Sequence, residues 1–581
     1  MLERKAYLSN KTFTYFLAST ILASMASTLG IVVDGVIVGQ LLGTDQLAAV
    51  NLSGPLLQFF LTFQLLINSG NAIMMSYALG RNNVEEANRY FSVAMILNIA
   101  MGLLMLLCGI LFSDAIASLL CSKEVITPFV EDYVQVVLLS APIYFLLPGI
   151  SYFIRADGAP KLTMYAIIIA NVINLLLDIV FIKYMDLGIR GSSLATSCGY
   201  FVGIIILLSY FFKKGNRLKY VFLNKGCNIG KALLLGLPIA LTSALVTLTS
   251  FSINHLIANV FSVFGLSVLA VTFSLKMLTT LIVGGTSQSI QPSGAYMIGQ
   301  EDFQGLRFLV SKAFRTLCTL ELVCLVLFLL FPNLILDLFG FNDLDRMGEA
   351  EEIVRIVALS FLPFAINYLT IVVFQLTQRT SLSLLVSILQ PIMPVVLMFA
   401  FKDSYPMGVW WAFALGELVV ILTMGILTLR LRKTDRSLSL YFLLKKPSLD
   451  GMMELSISNQ DFQKDFPLLM DEVETFLVNN KAEDRLKYNV TLGMEEVVSN
   501  IIKYAYSKRK RKHYIDIGIS ITPEMIKLSI KDDGTAFDPL KYDNDSNIGI
   551  PLLKSICHDI SYQYINGQNI VFLEFKRTSS D

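Results

Sequence analysis

Charged residues make up 16% of this 581-residue chain, against roughly 25% in ordinary soluble proteins. The deficit is uneven: residues 12–430 are mostly apolar, whereas 433–581 carry ordinary polar and charged content. Histidine is nearly missing, with three residues, and the seven cysteines (Cys108, Cys121, Cys198, Cys227, Cys318, Cys324, Cys557) are scattered without a CxxC pair. That pattern excludes a zinc site and a disulfide framework and leaves the cysteines as apolar fillers. A net charge of +1 argues against a nucleic-acid binder. There is no GxxxxGK[ST] run, so a pump driven by a P-loop motor is excluded. The opening stretch "MLERKAYLSNKTFTYFLAST" lacks the short apolar region and small-residue cleavage site of a signal peptide, and the first helix is expected to stay in place.

What the chain has in abundance is apolar length. It is 54% hydrophobic with a mean hydropathy of +0.63. Apolar runs of about 20 residues or more, enough to cross a bilayer as helices, recur up to residue 435. Polar breaks such as "GRNNVEEANR", "RADGAPK" and "GQEDFQG" separate them into about twelve spans. The even-numbered breaks hold Arg81, Arg89, Arg155, Lys161, Lys213, Lys214, Arg217, Lys219, Lys225, Arg307, Lys312, Arg315 and Arg379. The odd-numbered ones hold Lys123, Lys183, Arg190, Arg346 and Lys402. This asymmetry places the even breaks and both termini in the cytoplasm. An internal repeat, "GNAIMMSYALGRNNVEEANRYF" against "GTSQSIQPSGAYMIGQEDFQGLRFL", divides the bundle into two six-helix lobes, residues 1–215 and 216–435. Two such lobes are a transporter layout with substrate held between them.

Carboxylates inside the spans sharpen this. Asp34 falls within the first span. Asn171, Asn174 and Asp178 share one face of the fifth. A carboxylate at that depth costs about 2.5–3.5 kcal/mol on insertion scales, so it faces a cavity or a partner and can hold a proton or a cation. His255, Lys276 and Glu417 also fall within spans of the second lobe, where Lys276 and Glu417 suit a buried ion pair. The stretches "DGVIVGQLLGTDQLAAVNLSGPL", "ALGRNNVEEANR" and "FIRADGAPKLTMYAIIIANVINLLLDIVFIKYMDLGIRGSSLAT" resemble the multidrug and toxic compound extrusion (MATE) family over the first ~435 positions. The resemblance implies a cation or proton site made by Asp34, Asn174, Asp178 and Thr196. It also implies antiport, with Na⁺ or H⁺ entry driving out bulky, often cationic small molecules. Some relatives in the wider superfamily flip lipid-linked sugars, so the fold leaves that reading open.

After a linker at 436–451, the pattern changes. Segments "MELSISN", "HYIDIGISI", "MIKLSIKD", "ISYQYI" and "NIVFLEFKR" alternate as strands, around two helical stretches, giving a compact α/β layer over 452–581. Glu496 and Asn500 stand four apart on one helix face, where an amide oxygen suits Mg²⁺ and a carboxylate can take a proton. Asp532 opens "DDGTAFDP" at a strand end, where an aspartate can accept from the adenine amine and Gly534 admits the base. Together "EEVVSNIIKYAY", "DDGTAFDP" and "NIGIPLLKSICHDISYQYINGQNIVFLEFKR" resemble the Bergerat-fold (GHKL) ATPases, and most closely the bacterial anti-sigma-factor serine kinases. The resemblance implies ATP and Mg²⁺ as cofactors, with Asn500 on the metal, Glu496 as the base, Asp532 on adenine, and Gly534 and Gly549 shaping pocket and lid. The sequence departs from that pattern at Ala536, Tyr504 and Asn547. The basic run Lys508 to Lys512 is a solvated loop or a contact for anionic lipid.

The expected architecture is therefore an all-α polytopic bundle of about twelve helices followed by a Bergerat-type α/β sandwich. Two functions fit it: an antiporter with a cytosolic ATP-binding regulator, or a membrane-tethered serine kinase whose bundle is a receptor. The kinase reading implies an anti-anti-sigma-like partner carrying an acceptor serine.

Overall fold

Apolar runs of this length find no hydrogen-bond partner in a bilayer except their own backbone, so helix is the form they take. A computed structural model describes residues 3–121, 125–213, 215–222, 227–341, 344–439, 441–444, 451–506, 512–536, 538 and 549–577. The first lobe holds α1 (Tyr7–Leu42), α2 (Thr44–Leu52), α3 (Gly54–Gly80), α4 (Val84–Leu120), α5 (Thr127–Leu139), α6 (Ala141–Ala156), α7 (Pro160–Ile179) and α8 (Gly188–Leu208). The second holds α9 (Ile229–Gly299), α10 (Phe303–Leu330), α11 (Pro332–Leu338), α12 (Met347–Ala358), α13 (Phe361–Leu376), α14 (Thr380–Phe401) and α15 (Gly408–Thr434). Among the described residues ten helical stretches are long and apolar enough to cross a membrane. The pair α5 and α6, bent by 52°, makes an eleventh. A twelfth arises within α9, whose 71 residues are interrupted at Ser262 (φ 56°, ψ −147°).

The sequence repeat is a repeat of geometry. Helix α3 closes through left-handed Asn82 (φ 60°), and Asn83 then caps α4, accepting from the Glu86 N–H at 3.0 Å. Helix α9 closes through left-handed Glu301 (φ 61°), and Asp302 caps α10, accepting from the Gly305 N–H at 2.7 Å. Both turns lie at the same end of the bundle, and the lobes meet there backbone to backbone. A Cβ on Gly80 would stand 2.3 Å from the Tyr296 carbonyl oxygen, and one on Gly299 would stand 2.3 Å from that of Tyr77. Only glycine permits that approach. Deeper in, Gln375 of the second lobe donates to Ser69 Oγ of the first at 2.9 Å, and Thr20 donates to the Gly285 carbonyl at 2.9 Å.

The tail is a five-stranded antiparallel sheet in the order β1 (Met452–Ser458), β2 (Tyr514–Ile521), β3 (Met525–Asp532), β5 (Gln568–Lys576) and β4 (Asp559–Ile565). One face carries rows such as Leu455, Ile517, Ile530 and Val571, and packs on α16 (Phe462–Asn479), α17 (Asp484–Asn500) and α18 (Gly549–Ile556). The alternate row runs Ser456, Asp516, Lys531, Ile570 and Gln563 across all five strands. Strand alternation would leave such a polar row in water. Here every member is buried, because the glycine-closed end of the bundle covers it.

An ion network holds the two together. Arg4, just before α1, donates bidentately to Asp302 at 2.9 Å and to Glu454 at 2.9 Å, and lies 3.3 Å from Asp516. Lys531 reaches Asp302 at 2.5 Å and Gln300 at 2.7 Å. Burial alone would raise the Asp302 carboxyl, but Arg4 and Lys531 override it and hold it well below the usual carboxylate range. Glu454 goes the other way: burial and then the Asp302 charge push it up to about 7, against Arg4 and Lys531. The docked Glu454 therefore binds its proton more tightly than a free one. Its contribution to docking is complete below the ordinary glutamate range and is lost as pH rises through about 7. Raising the pH through that window should loosen the tail from the bundle, read as faster cleavage by an added protease within residues 436–451. Glu454→Gln should flatten most of that pH dependence.

Candidate functional site

The first site is built on three helices. Asn174 and Asp178 lie one turn apart on α7 and are both buried, and α7 passes into a π-helical turn at Val180–Tyr184 just beyond them. Such turns recur at functional sites because they re-aim side chains. Asn174 Nδ2 donates to Asp178 Oδ2 at 3.3 Å and to Thr196 Oγ1 of α8 at 3.1 Å. Asp34 of α1 faces Asp178 and accepts from Ser192 Oγ at 3.4 Å. All four residues expected from the sequence are thus brought together. Asp178 is fully buried, and its Oδ1 has no hydrogen-bond partner among the described residues. A buried carboxyl facing a half-buried one cannot easily stay ionised beside it unless something positive lies between them, and an orphaned oxygen marks where it would bind.

Ser192 and Tyr200, which also neighbours Asp34, escaped the sequence reading. Their signal was present, since Ser192, Thr196 and Tyr200 stand four apart on one face of α8. Asn171 bonds back to the Ile167 carbonyl at 2.8 Å and packs against Gly30 of α1, so it ties α7 to α1 beside the site. In the second lobe Glu417 is buried and accepts from Asn367 Nδ2 at 2.8 Å. Lys276 faces Glu417, with its ammonium 4.9 Å over the Phe364 ring. His255 is exposed and meets only Asn259, at 3.1 Å, among its described contacts. Glu321 of α10 is fully buried with neither carboxyl oxygen partnered among the described residues, and it too was missed.

The second site lies in the tail, where α17, β3 and α18 converge. Asn500 Nδ2 donates to Glu496 Oε1 at 2.7 Å, and a π-helical turn (Ile501–Ala505) follows directly. That bond spends the amide's donor and leaves its oxygen, the hard ligand a Mg²⁺ requires. Asp532 is buried, and its Oδ1 accepts from the Gly534 N–H at 2.7 Å and from Asn569 Nδ2 at 2.9 Å. A Cβ on Gly534 would stand 2.6 Å from that of Ala505, so glycine lets the β3 turn seat against the end of α17. A Cβ on Gly549 would stand 1.7 Å from Glu496 Oε1, so glycine lets α18 begin directly on that carboxylate. The departures Ala536 and Tyr504 are both exposed, and Asn547 lies outside the described residues. So do Lys508 to Arg511 of the basic run, while Lys512 pairs with Asp461 at 2.8 Å.

Two six-span lobes with a polar cluster inside one of them, joined to a helix-backed antiparallel sheet of the ATPase kind, define a membrane transporter with a nucleotide-domain tail. The MatE family model matches residues 19–180 and 238–399, and the chain belongs to that family. A histidine kinase-like ATPase domain model matches residues 464–575. The chain is 23% identical over 427 residues to the multidrug export protein MepA of Staphylococcus saprophyticus, covering 73% of this chain and 94% of that one. It is 24% identical over 420 residues to MepA of Staphylococcus aureus strain MSSA476, covering 71% and 92%. The solved structures it is similar to include a multidrug resistance MATE family transporter in an outward-facing conformation (TM-score 0.67, 21% identity, 75% of this chain and 99% of that one). Another is a MATE crystal structure in complex with MaL6 (TM-score 0.68, 20% identity, 74% and 99%).

Asn569 is a further residue the sequence reading passed over, and it holds Asp532 in place by donating to it and to the Thr535 carbonyl at 3.1 Å. Asn569→Ala should weaken Mg-ATP binding to the full chain by about tenfold or more, the order of a lost hydrogen bond to a charged group. Calorimetry on wild type and variant would check this.

Proposed function

We propose that the chain is a secondary active antiporter of the cytoplasmic membrane that exports bulky, cationic compounds in exchange for Na⁺ or H⁺. The observation that carries this reading is the cluster of Asp34, Asn174, Asp178 and Thr196, in which one buried carboxylate oxygen has no hydrogen-bond partner among the described residues. A proton shared by the two carboxyls, or a cation ligated by their oxygens with those of Asn174 and Thr196, would satisfy it. Loading the site changes the charge between α1 and α7, and that change is what a gradient can couple to lobe movement. The names of the MepA relatives support a multidrug substrate range. The tail, residues 452–581, would lie in the cytoplasm with the even-numbered loops, following lobes at 1–215 and 216–435 and a linker at 436–451.

In the tail, Asn500 would hold Mg²⁺, Asp532 would read adenine, and Gly534 and Gly549 would shape the pocket. Bound Mg-ATP would supply the transferable phosphoryl group. Glu496 lies beside Asn500 and at the start of α18, where a carboxylate can take the proton of an attacking hydroxyl. This favours a second role, phosphorylation of a serine on an anti-anti-sigma-like partner, over simple nucleotide sensing.

Two experiments test these roles. In proteoliposomes, efflux of a cationic dye driven by a Na⁺ or H⁺ gradient should fall to background in Asp34→Asn and in Asp178→Asn. Undiminished efflux in both would remove the proposed ion site. Glu496→Gln should retain Mg-ATP binding and lose labelled phosphate transfer to partner serine by about 10²–10⁴-fold, the usual range of a general base. Equal labelling by wild type and variant would leave Glu496 without that role.

A further inference from the structure

The row Ser456, Asp516, Lys531, Ile570 and Gln563 has no part in the nucleotide pocket, which lies on the helix-covered side of the sheet. Its partner is the place where the lobes meet. Gln563 accepts from Tyr296 Oη of the second lobe at 2.7 Å, and donates to the Leu79 carbonyl of the first lobe at 3.4 Å and to Asn82. One side chain therefore bridges both lobes directly over the crossing of Gly80 and Gly299. At the other end of the row, Lys531 and Asp516 join Arg4, at the head of the first lobe, to Asp302, in the second. Moving the two turns apart would break the Gln563 bridge, and moving the head of α1 from the α10 cap would break the other.

We propose that the open face of the tail sheet is a clamp for this gate: docked, it holds the lobes shut at the tail end, and nucleotide in the tail changes its grip. The nucleotide part rests on the function proposed above. The link between pocket and clamp is a pair of adjacent residues. Asp532 lines the pocket. Asp533, the next residue, accepts from Lys11 at 2.5 Å and from Tyr7 at 3.2 Å, both on α1, and is held from the tail side by Tyr506 at 2.9 Å and His513 at 2.9 Å. Asp533 is the first residue past the end of β3, so the two neighbours share one backbone turn. The same β3 end cannot settle on a ligand without bearing on α1. Helix α1 in turn runs unbroken from Lys11 to Asp34, roughly 35 Å at 1.5 Å per residue. The docked face also borders an open cleft of about 670 Å³ between Arg81, Asp302, Glu454 and Lys527. Incomplete packing of that kind suits a contact that releases, as a fused core would not.

Hydrogen exchange on the full chain in nanodiscs tests the clamp. Gln563→Ala and Asp302→Asn, separately and together, should speed exchange about fivefold or more in peptides spanning residues 76–83 and 296–303, while core peptides of the sheet stay protected. Unchanged exchange in Gln563→Ala, which removes no charge and should fold, would overturn the clamp. Calorimetry tests its link to nucleotide. Lys11→Ala, a half-exposed change within the transporter's first helix, should shift Mg-ATP affinity about fivefold or more, and Mg-ATP should alter exchange at the same two turns. Wild type that binds no Mg-ATP would sink the nucleotide reading and leave the clamp standing on the first result. Binding indifferent to Lys11→Ala would show that the clamp answers to something other than nucleotide.

Discussion

A carboxylate removed from water must acquire a positive neighbour or a proton, and this chain meets that demand in two opposite ways. Asp302 is enclosed by Arg4 and Lys531 at hydrogen-bond distance, so its charge is neutralised permanently by the protein itself. Asp34 and Asp178 face each other with an amide and hydroxyls around them and no basic side chain in hydrogen-bond contact among the described residues. Their neutralisation has to come from outside. The first arrangement makes a joint, and the second makes a site. Helix α1 connects them, with Arg4 just before its start and Asp34 near its far end.

The same division governs how the lobes are held. At the tail end they approach on glycine, where backbone contact brings dispersion energy but little directional specificity. Specificity comes from Tyr77 Oη donating to the Leu376 carbonyl and from Arg4 on Asp302, and is added to by hydrogen bonds from a domain that is not part of the bundle. Gln563 contributes both its donor and its acceptor there, one to each lobe. A gate closed only by smooth packing opens readily, and a gate closed only by buried ion pairs scarcely opens. Combining a bare glycine crossing with a detachable polar bridge lets the resting state be adjusted without altering the transport path.

Much of this was legible in the residues. The apolar runs gave the spans, the repeat gave the two lobes, and strand alternation gave all five strands of the tail, because each depends on periodicity within one segment. Asn174 and Asp178 were legible as a pair through their i, i+4 spacing. Ser192 and Tyr200 shared the face of Thr196, but nothing in that spacing named Asp34 as their partner, and Asn569 was not legible because Asp532 lies far away in sequence. Lys276 and Glu417 were legible as a candidate pair within spans and do share a neighbourhood, whereas His255 is exposed. Nothing in "MELSISN" or "HYIDIGISI" announces that the polar side of the strands will be buried. Alternation reads the same whether the polar face meets water or another domain.

That ambiguity bears on why a transporter of this family would carry an ATPase-fold tail. A motor must deliver its stroke along the transport axis in each cycle, and ATPase pairs do so by closing on one another. Here the helix-covered face, with the proposed nucleotide site, turns away from the bundle, and the opposite face does the docking. Energy released in the pocket can reach the bundle only by changing how well that face fits. Such a coupling is limited to the difference in docking free energy between nucleotide states, typically about 1–3 kcal/mol. That is too little to drive a substrate uphill against a steep gradient, and ample to decide whether a gate is free to open.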